Sequence, residues 1–280
     1  MIPLGSSDAP AILGVSPRLT PWQLWAQKVG IIEAKDEPDE IMQAGTALEP
    51  VVVDLFLAQM GWPDLGLLRS PDTTRFHDVR SWQRATPDAV RLNAYGSAGD
   101  LIEVKCVVGH PPSAPRVDWL VQCLHQRLVY EEASAQWLVA FGNLQLVWWE
   151  IPRHPRALDA VLRAEERFLQ LVETETPPPV RAEDAAPLSR AWPLVLDAVR
   201  ELGPETLDWD AARVRADEQI TKWKRVKGLA DARLKAAIGD HQRAVLPDGT
   251  TYTFRPHPVK SHVLPARTDR PLRRRGGDDE

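Results

Sequence analysis

The run Leu101-Ile102-Glu103-Val104-Lys105-Cys106-Val107-Val108 constrains the fold more than any other part of this 280-residue chain. Its apolar residues ask for a buried strand, yet two charged side chains interrupt it. A strand turns successive side chains to opposite faces, so Glu103 and Lys105 leave on one face while Val104 points the other way, into a core. Charges set among apolar neighbours are costly unless they pair or bind a metal. A second acid, Asp88 of Thr86-Pro87-Asp88, lies upstream across fourteen intervening residues. The fold therefore has to bring these groups to one place.

The surrounding sequence supplies the elements for that. A short opening helix is capped by Ser6, Ser7 or Asp8 and closed by Gly14. A second helix starts at Thr20-Pro21 and ends at Gly30. A long helix ends near Gly61 and is apolar on almost every side over residues 48–58, which predicts burial. Short runs at 65–69, 76–85 and 100–108, broken by turn residues, predict strands. A helix follows over about 117–130. Residues 136–141 and 144–151 flank Gly142-Asn143 as a hairpin, and a charged helix covers about 155–173. Helices, then a mixed sheet with an inserted helix, make an α/β pattern.

Thr176-Pro177-Pro178-Pro179 opens an expected linker, 176–186, after a core of residues 1–175. Region 187–264 carries helical stretches at about 187–203 and 210–238, then a hairpin turning at Pro247-Asp248-Gly249. Residues 265–280 are predicted to be a disordered tail. The 210–238 helix is locally basic (Lys222, Lys224, Arg225, Lys227, Arg233, Lys235), which suits a solvated face or a surface for DNA or another subunit.

Composition narrows the classes. A hydrophobic fraction of 44% with eleven tryptophans supports a sizeable core. No run approaches the roughly 20 uninterrupted apolar residues of a membrane span. The first residues lack a basic start and an apolar run, which predicts a cytoplasmic protein without membrane association. Two cysteines, Cys106 and Cys123, are too few for a disulfide framework or a four-cysteine iron–sulfur cluster, and both are expected to be reduced core residues. The net charge of −5 neither supports nor excludes a nucleic-acid partner.

Paired acids and a lysine suit phosphodiester hydrolysis, which needs the phosphate neutralised, a hydroxide generated and the leaving oxygen stabilised. Asp88 and Glu103 offer hard oxygens to Mg2+, which keeps most of its waters and asks for one or two carboxylates. Lys105 beside the ion can orient the attacking water or stabilise developing charge. Glu49 has two readings. Thr46-Ala47-Leu48-Glu49 fits a capping box, while Glu49 also shares a helix face with Val52, Val53 and Phe56 and can point inward to the acids. Ser6 and Ser7 are ordinary helix caps or phosphate contacts. Arg18 is a loop arginine or a backbone-phosphate contact.

The pattern Pro87-Asp88…Glu103-Val104-Lys105 resembles the signature of the PD-(D/E)xK nuclease superfamily. Its surroundings resemble the YqaJ-like viral recombinase group, which includes phage lambda exonuclease. The opening 4–9 and 12–14, Gly45-Thr46-Ala47-Leu48-Glu49-Pro50, the two metal-site strands and Trp119-Leu120-Val121-Gln122-Cys123-Leu124-His125 follow that family's order. The resemblance implies a restriction-endonuclease-like core, a mixed central sheet flanked by helices, with a C-terminal helical and hairpin appendage. It implies catalysis by Asp88, Glu103, Lys105, Glu49 and Gln122, and a metal held by Asp88, Glu103, Glu49 and the Val104 carbonyl. DNA would be contacted by Ser6, Ser7 and Arg18. The implied activity is a Mg2+-dependent exonuclease, with Mn2+ substituting, acting 5′ to 3′ on linear duplex ends for phage-type recombination. A ring-shaped trimer and a single-strand annealing protein are the implied partners. An endonuclease of the same superfamily and a catalytically silent DNA-binding scaffold are the alternatives. Where the family reads Pro-Asp-Gly this chain has Ala89, which would be strained if that position required a positive φ.

Overall fold

A computed structural model describes residues 3–33, 40–192 and 199–256. They fall into two compact units, one reaching residue 192 and one starting at 199. The first unit contains, in chain order, β1 (Leu4–Gly5), α1 (Ala9–Ile12), α2 (Pro21–Lys28), α3 (Glu40–Met60), β2 (Leu67–Arg69), β3 (Arg75–Phe76), β4 (Gln83–Ala85), β5 (Ala89–Leu92) and β6 (Ala98–Cys106). These are followed by α4 (Val117–Val129), β7 (Ala135–Gly142), β8 (Gln145–Glu150), α5 (Pro155–Glu173), a 3-10 turn at Ala182–Asp184 and α6 (Ala185–Ala191).

The main sheet has the strand order β2-β5-β6-β7-β8. All its pairs are antiparallel except β6 with β7. A parallel pair needs a crossover, and α4 supplies it. Helix α3, three antiparallel strands, α4 and a parallel fourth strand give the mixed, helix-flanked core that the sequence implies. A small second sheet, β1-β4-β3, carries the N-terminus.

The sheet is buried on both faces. Val52, Val53 and Phe56 of α3 meet Ala89, Ile102, Val104 and Val139 on one side. Trp119 and Cys123 of α4 meet Leu138 and Ala140 on the other. Alternation along β6 thus delivers Val104 to α3 and turns Glu103 and Lys105 toward α4. Ala89 is an ordinary β5 residue, fully buried and paired with Ile102, so no positive φ is needed there. Neither cysteine is in a disulfide; Cys123 is buried and Cys106 half-buried.

Several expectations are corrected. Helix α3 is not buried all round: Val52, Val53, Phe56 and Leu57 are, while Leu48, Val51 and Leu55 are exposed, because only one side of the helix meets the sheet. By length and composition α3 is also apolar enough to cross a bilayer. It begins at Glu40, so Thr46 and Glu49 lie in mid-helix and the capping-box reading fails. Pro50, inside the helix, has no N–H to give the Thr46 carbonyl. The β7–β8 turn is centred on Asn143-Leu144, both at positive φ, one residue beyond the expected place. Gly142 has another role: a Cβ there would meet the Gly109 carbonyl oxygen at 2.4 Å.

The expected boundary at 175 falls inside the first unit. Pro178 is buried, and the chain beyond it packs back on α2. Asp184, fully buried, accepts from the Thr20 hydroxyl and from Gln23 Nε2. Ala191 joins the cluster of Trp22 and Trp25. Proline stiffness here makes a strap rather than a linker. The expected 187–203 helix stops at Ala191, residues 193–198 lie outside the described residues, and 199–203 are not helical. In the second unit α7 (Thr206–Ile238) is followed by a hairpin of β9 (Arg243–Val245) and β10 (Thr251–Thr253), turned at Gly249. The tail expected at 265–280 lies outside the described residues.

Candidate active site

Asp88 stands one residue ahead of β5. With Ala89 opposite Ile102, the next antiparallel step sets Asp88 opposite Glu103. The preceding Pro87 carbonyl accepts from the buried Thr73 hydroxyl, which fixes the approach to the strand. Asp88 Oδ2 accepts the Val104 N–H at 2.6 Å. The acid is thereby locked to the strand that carries the other two groups.

Glu103 is only 2% exposed, and both its oxygens are engaged. Oε1 accepts from Lys105 Nζ at 2.6 Å and from Gln122 Nε2 at 2.5 Å. Oε2 accepts from Gln126 Nε2 at 2.5 Å. Lys105 also donates to Gln122 Oε1 at 2.9 Å, closing a ring of three side chains between β6 and α4. Two bonds leave Lys105 one of its three N–H donors.

The electrostatics join Glu49 to this group. Burial, then Glu103 and Glu49, hold the Asp88 carboxyl well above the usual carboxylate range, against the pull of Lys105 and the Val104 N–H. Burial and Glu103 raise Glu49 as well. For Lys105, burial favours the neutral amine, but Glu103 and Asp88 outweigh it and keep the ammonium. Three carboxylates thus share one ammonium. Their net charge of about −2 when ionised is what a divalent cation complements.

The donor chemistry fits Mg2+, which takes hard oxygens and asks for one or two carboxylates. Among the described residues no three acid, histidine or cysteine groups already stand in ligand geometry. Since both oxygens of Glu103 are bonded, ligation there requires Lys105 or a glutamine to release one.

The structure therefore brings together Asp88, Glu103, Lys105, Glu49 and Gln122. Ser6 and Ser7 follow β1, where Gly5 pairs with Arg84 of β4, and Arg18 lies on the exposed loop before α2. Among the described residues no hydrogen bond or ion pair ties those three to the acids. Sequence reasoning missed Gln126, although its i+4 spacing from Gln122 puts both on one helix face. It also missed a buried network beside the site. His125 Nδ1 meets Glu165 Oε1 at 2.6 Å, His125 Nε2 meets the Arg84 carbonyl at 3.0 Å, and Gln83 donates to Glu165 Oε2 at 2.7 Å.

Residues 2–129 match the family of the YqaJ-like viral recombinase domain. This segment, a little under half of the chain, is similar to that domain. It contains every residue of the cluster just described, from Glu49 to Gln126. The uncharacterized protein YqaJ of Bacillus subtilis (strain 168) is 25% identical over 173 residues, 59% of this chain and 51% of that protein. The chain thus spans about half the length of that relative. Among solved structures, the alkaline exonuclease LHK-Exo from Laribacter hongkongensis aligns over 62% of this chain and 89% of its own, at 17% identity and a TM-score of 0.46. A phage related exonuclease from Haemophilus somnus 129PT aligns over 62% and 97%, at 14% identity and a TM-score of 0.44.

Proposed function

We propose that this protein is a Mg2+-dependent DNA exonuclease that digests linear duplex DNA, 5′ to 3′, in phage-type recombination. The observation that carries the reading is the surplus of buried carboxylate around Lys105. Burial first, and repulsion from the neighbouring carboxylates next, raise Asp88 and Glu49, as a site that awaits a divalent ion would.

Asp88, Glu49, Glu103 and the Val104 carbonyl are the oxygens that would hold Mg2+, with Mn2+ as a substitute. When bound, the ion neutralises phosphate charge and makes a coordinated water acidic enough to yield hydroxide near neutral pH. The chain's own groups orient the reactants. The Val104 N–H fixes Asp88 through Oδ2 and leaves Oδ1 outside that bond. Lys105, held by Glu103 and Gln122, has one N–H for the scissile phosphate or the attacking water. Gln122 keeps that ammonium in place. Ser6, Ser7 and Arg18 are assigned to the DNA backbone further from the chemistry. A ring-shaped homotrimer in the cytoplasm, handing single strands to an annealing protein, completes the reading.

The test is incubation of linear and covalently closed duplex with Mg2+ or EDTA. Mg2+-dependent loss of the linear form alone is expected, with a 5′-end label released first. Equal loss of the closed form would make the protein an endonuclease, and no loss of either would leave a DNA-binding scaffold.

A further inference from the structure

Behind Glu103 stands a second layer of polar side chains that the chemistry above does not use. Gln126 of α4 and Gln136 of β7 are both fully buried. Gln126 gives its amide N–H to Glu103 Oε2 at 2.5 Å, and its Oε1 accepts from Gln136 Nε2 at 3.1 Å. Resting on the metal-dependent reading, we infer that Gln126 and Gln136 are positioning residues that hold Glu103 by one oxygen and present the other to the divalent ion.

The direction of the chain of bonds supports this. A glutamine amide has a donor end and an acceptor end, and it can be reversed unless its partners decide. Gln136 offers Gln126 an N–H, so Gln126 must turn its carbonyl toward β7 and its own N–H toward Glu103. A reversed Gln126 would set a carbonyl oxygen against a carboxylate. The acceptor-only carboxylate takes the N–H end of Gln126, and Gln136, by meeting the carbonyl end, holds Gln126 in that orientation.

Core packing does not account for Gln136. Its Oε1 is buried without a hydrogen-bond partner among the described residues. Its second donor contact, to the Trp137 carbonyl, is long at 3.5 Å. A leucine at this position would fill the space without an orphaned acceptor, so the amide is kept for what its N–H does. The two oxygens of Glu103 are unequally held as a result. Oε2 is tied to the fully buried Gln126. Oε1 is tied to Gln122 and Lys105, which are only half-buried. Oε1 is the oxygen that an arriving ion takes.

The experiment compares the parent protein with Gln126→Met and Gln136→Met, which keep volume and remove the amide. Leu158→Met, in the apolar cluster between α4 and α5, is the packing control. Mn2+ binding is followed by electron paramagnetic resonance of the free ion, alongside Mg2+-dependent turnover and DNA KM. Both glutamine variants are expected to bind Mn2+ about 10–100-fold more weakly and to lose kcat, with DNA KM unchanged. Leu158→Met should match the parent. Folded glutamine variants with parental Mn2+ affinity overturn the inference, even if their thermal stability falls, because that leaves only a packing role. A parent that binds no Mn2+ overturns the metal-dependent reading itself, an outcome visible before any variant is compared.

Discussion

At Asp88 a carboxyl sits where water is scarce and two other carboxylates are close, so its ionised form opposes folding. A carboxyl raised in the folded state binds its proton more tightly there than in the unfolded chain. Metal-free stability from this group is therefore greatest near and below the ordinary value of 3.8, and declines as pH climbs through the raised value. Asp88→Asn keeps an acceptor for the Val104 N–H and removes the charge. At neutral pH it should melt about 2–4 °C above the metal-free parent, the shift that roughly 1 kcal/mol produces at this size, and lose the parent's response to Mg2+. Calorimetry across pH checks this; a variant that melts with or below the metal-free parent contradicts it. Asp88, Glu103 and Lys105 were legible as residues because charges in an apolar strand must be explained. Gln126 and Gln136 were not, because a glutamine in a helix or strand reads as solvated until its partners are known.

Among the elements, α4 is the one on which the site turns, since it carries both glutamines that grip Glu103. His125 anchors it from behind. Both ring nitrogens meet acceptors, Glu165 and the Arg84 carbonyl, which ties α4 to α5 and β4. Burial favours neutral imidazole, but Glu165 outweighs it and His125 is raised above its ordinary 6.5. A raised histidine stabilises the fold below its unfolded value and loses that contribution as pH rises through the folded one. Glu165→Gln should destabilise by about 3 kcal/mol at about pH 6, with the gap to the parent narrowing as pH rises through the raised His125 value. Urea unfolding at several pH values measures it, and a pH-independent gap would contradict the ion pair. Strand β5 escaped the sequence reading because four residues with Arg91 among them give no periodicity. Arg91 belongs there all the same, paired with Asp100 at 2.6 Å and stacked on the Trp62 ring. The capping-box reading of Thr46–Glu49 failed because Pro50 suits a first turn, and only the packing of residues downstream carries the helix through it.

At the scale of the molecule, the order of elements was readable while the division of the chain was not. Prolines at 177–179 mark a stiff segment, but whether a stiff segment separates or straps depends on what it reaches. Here it leads to Asp184, whose buried carboxylate bonds Thr20 and Gln23 across more than 160 residues of sequence. The first unit therefore encloses the whole acid cluster within residues 3–192, while α7 and its hairpin form a unit of their own. In the proposed function, the cluster around Lys105 is where the first unit hydrolyses DNA. The most direct measurement is the initial rate of nucleotide release from linear duplex in Mg2+ by the parent and by Lys105→Met, both shown to be folded. A loss of about 100–1,000-fold in kcat, with DNA binding retained, is expected from removing one charged stabiliser of the transition state. A Lys105→Met protein that releases nucleotides at the parental rate would contradict the account.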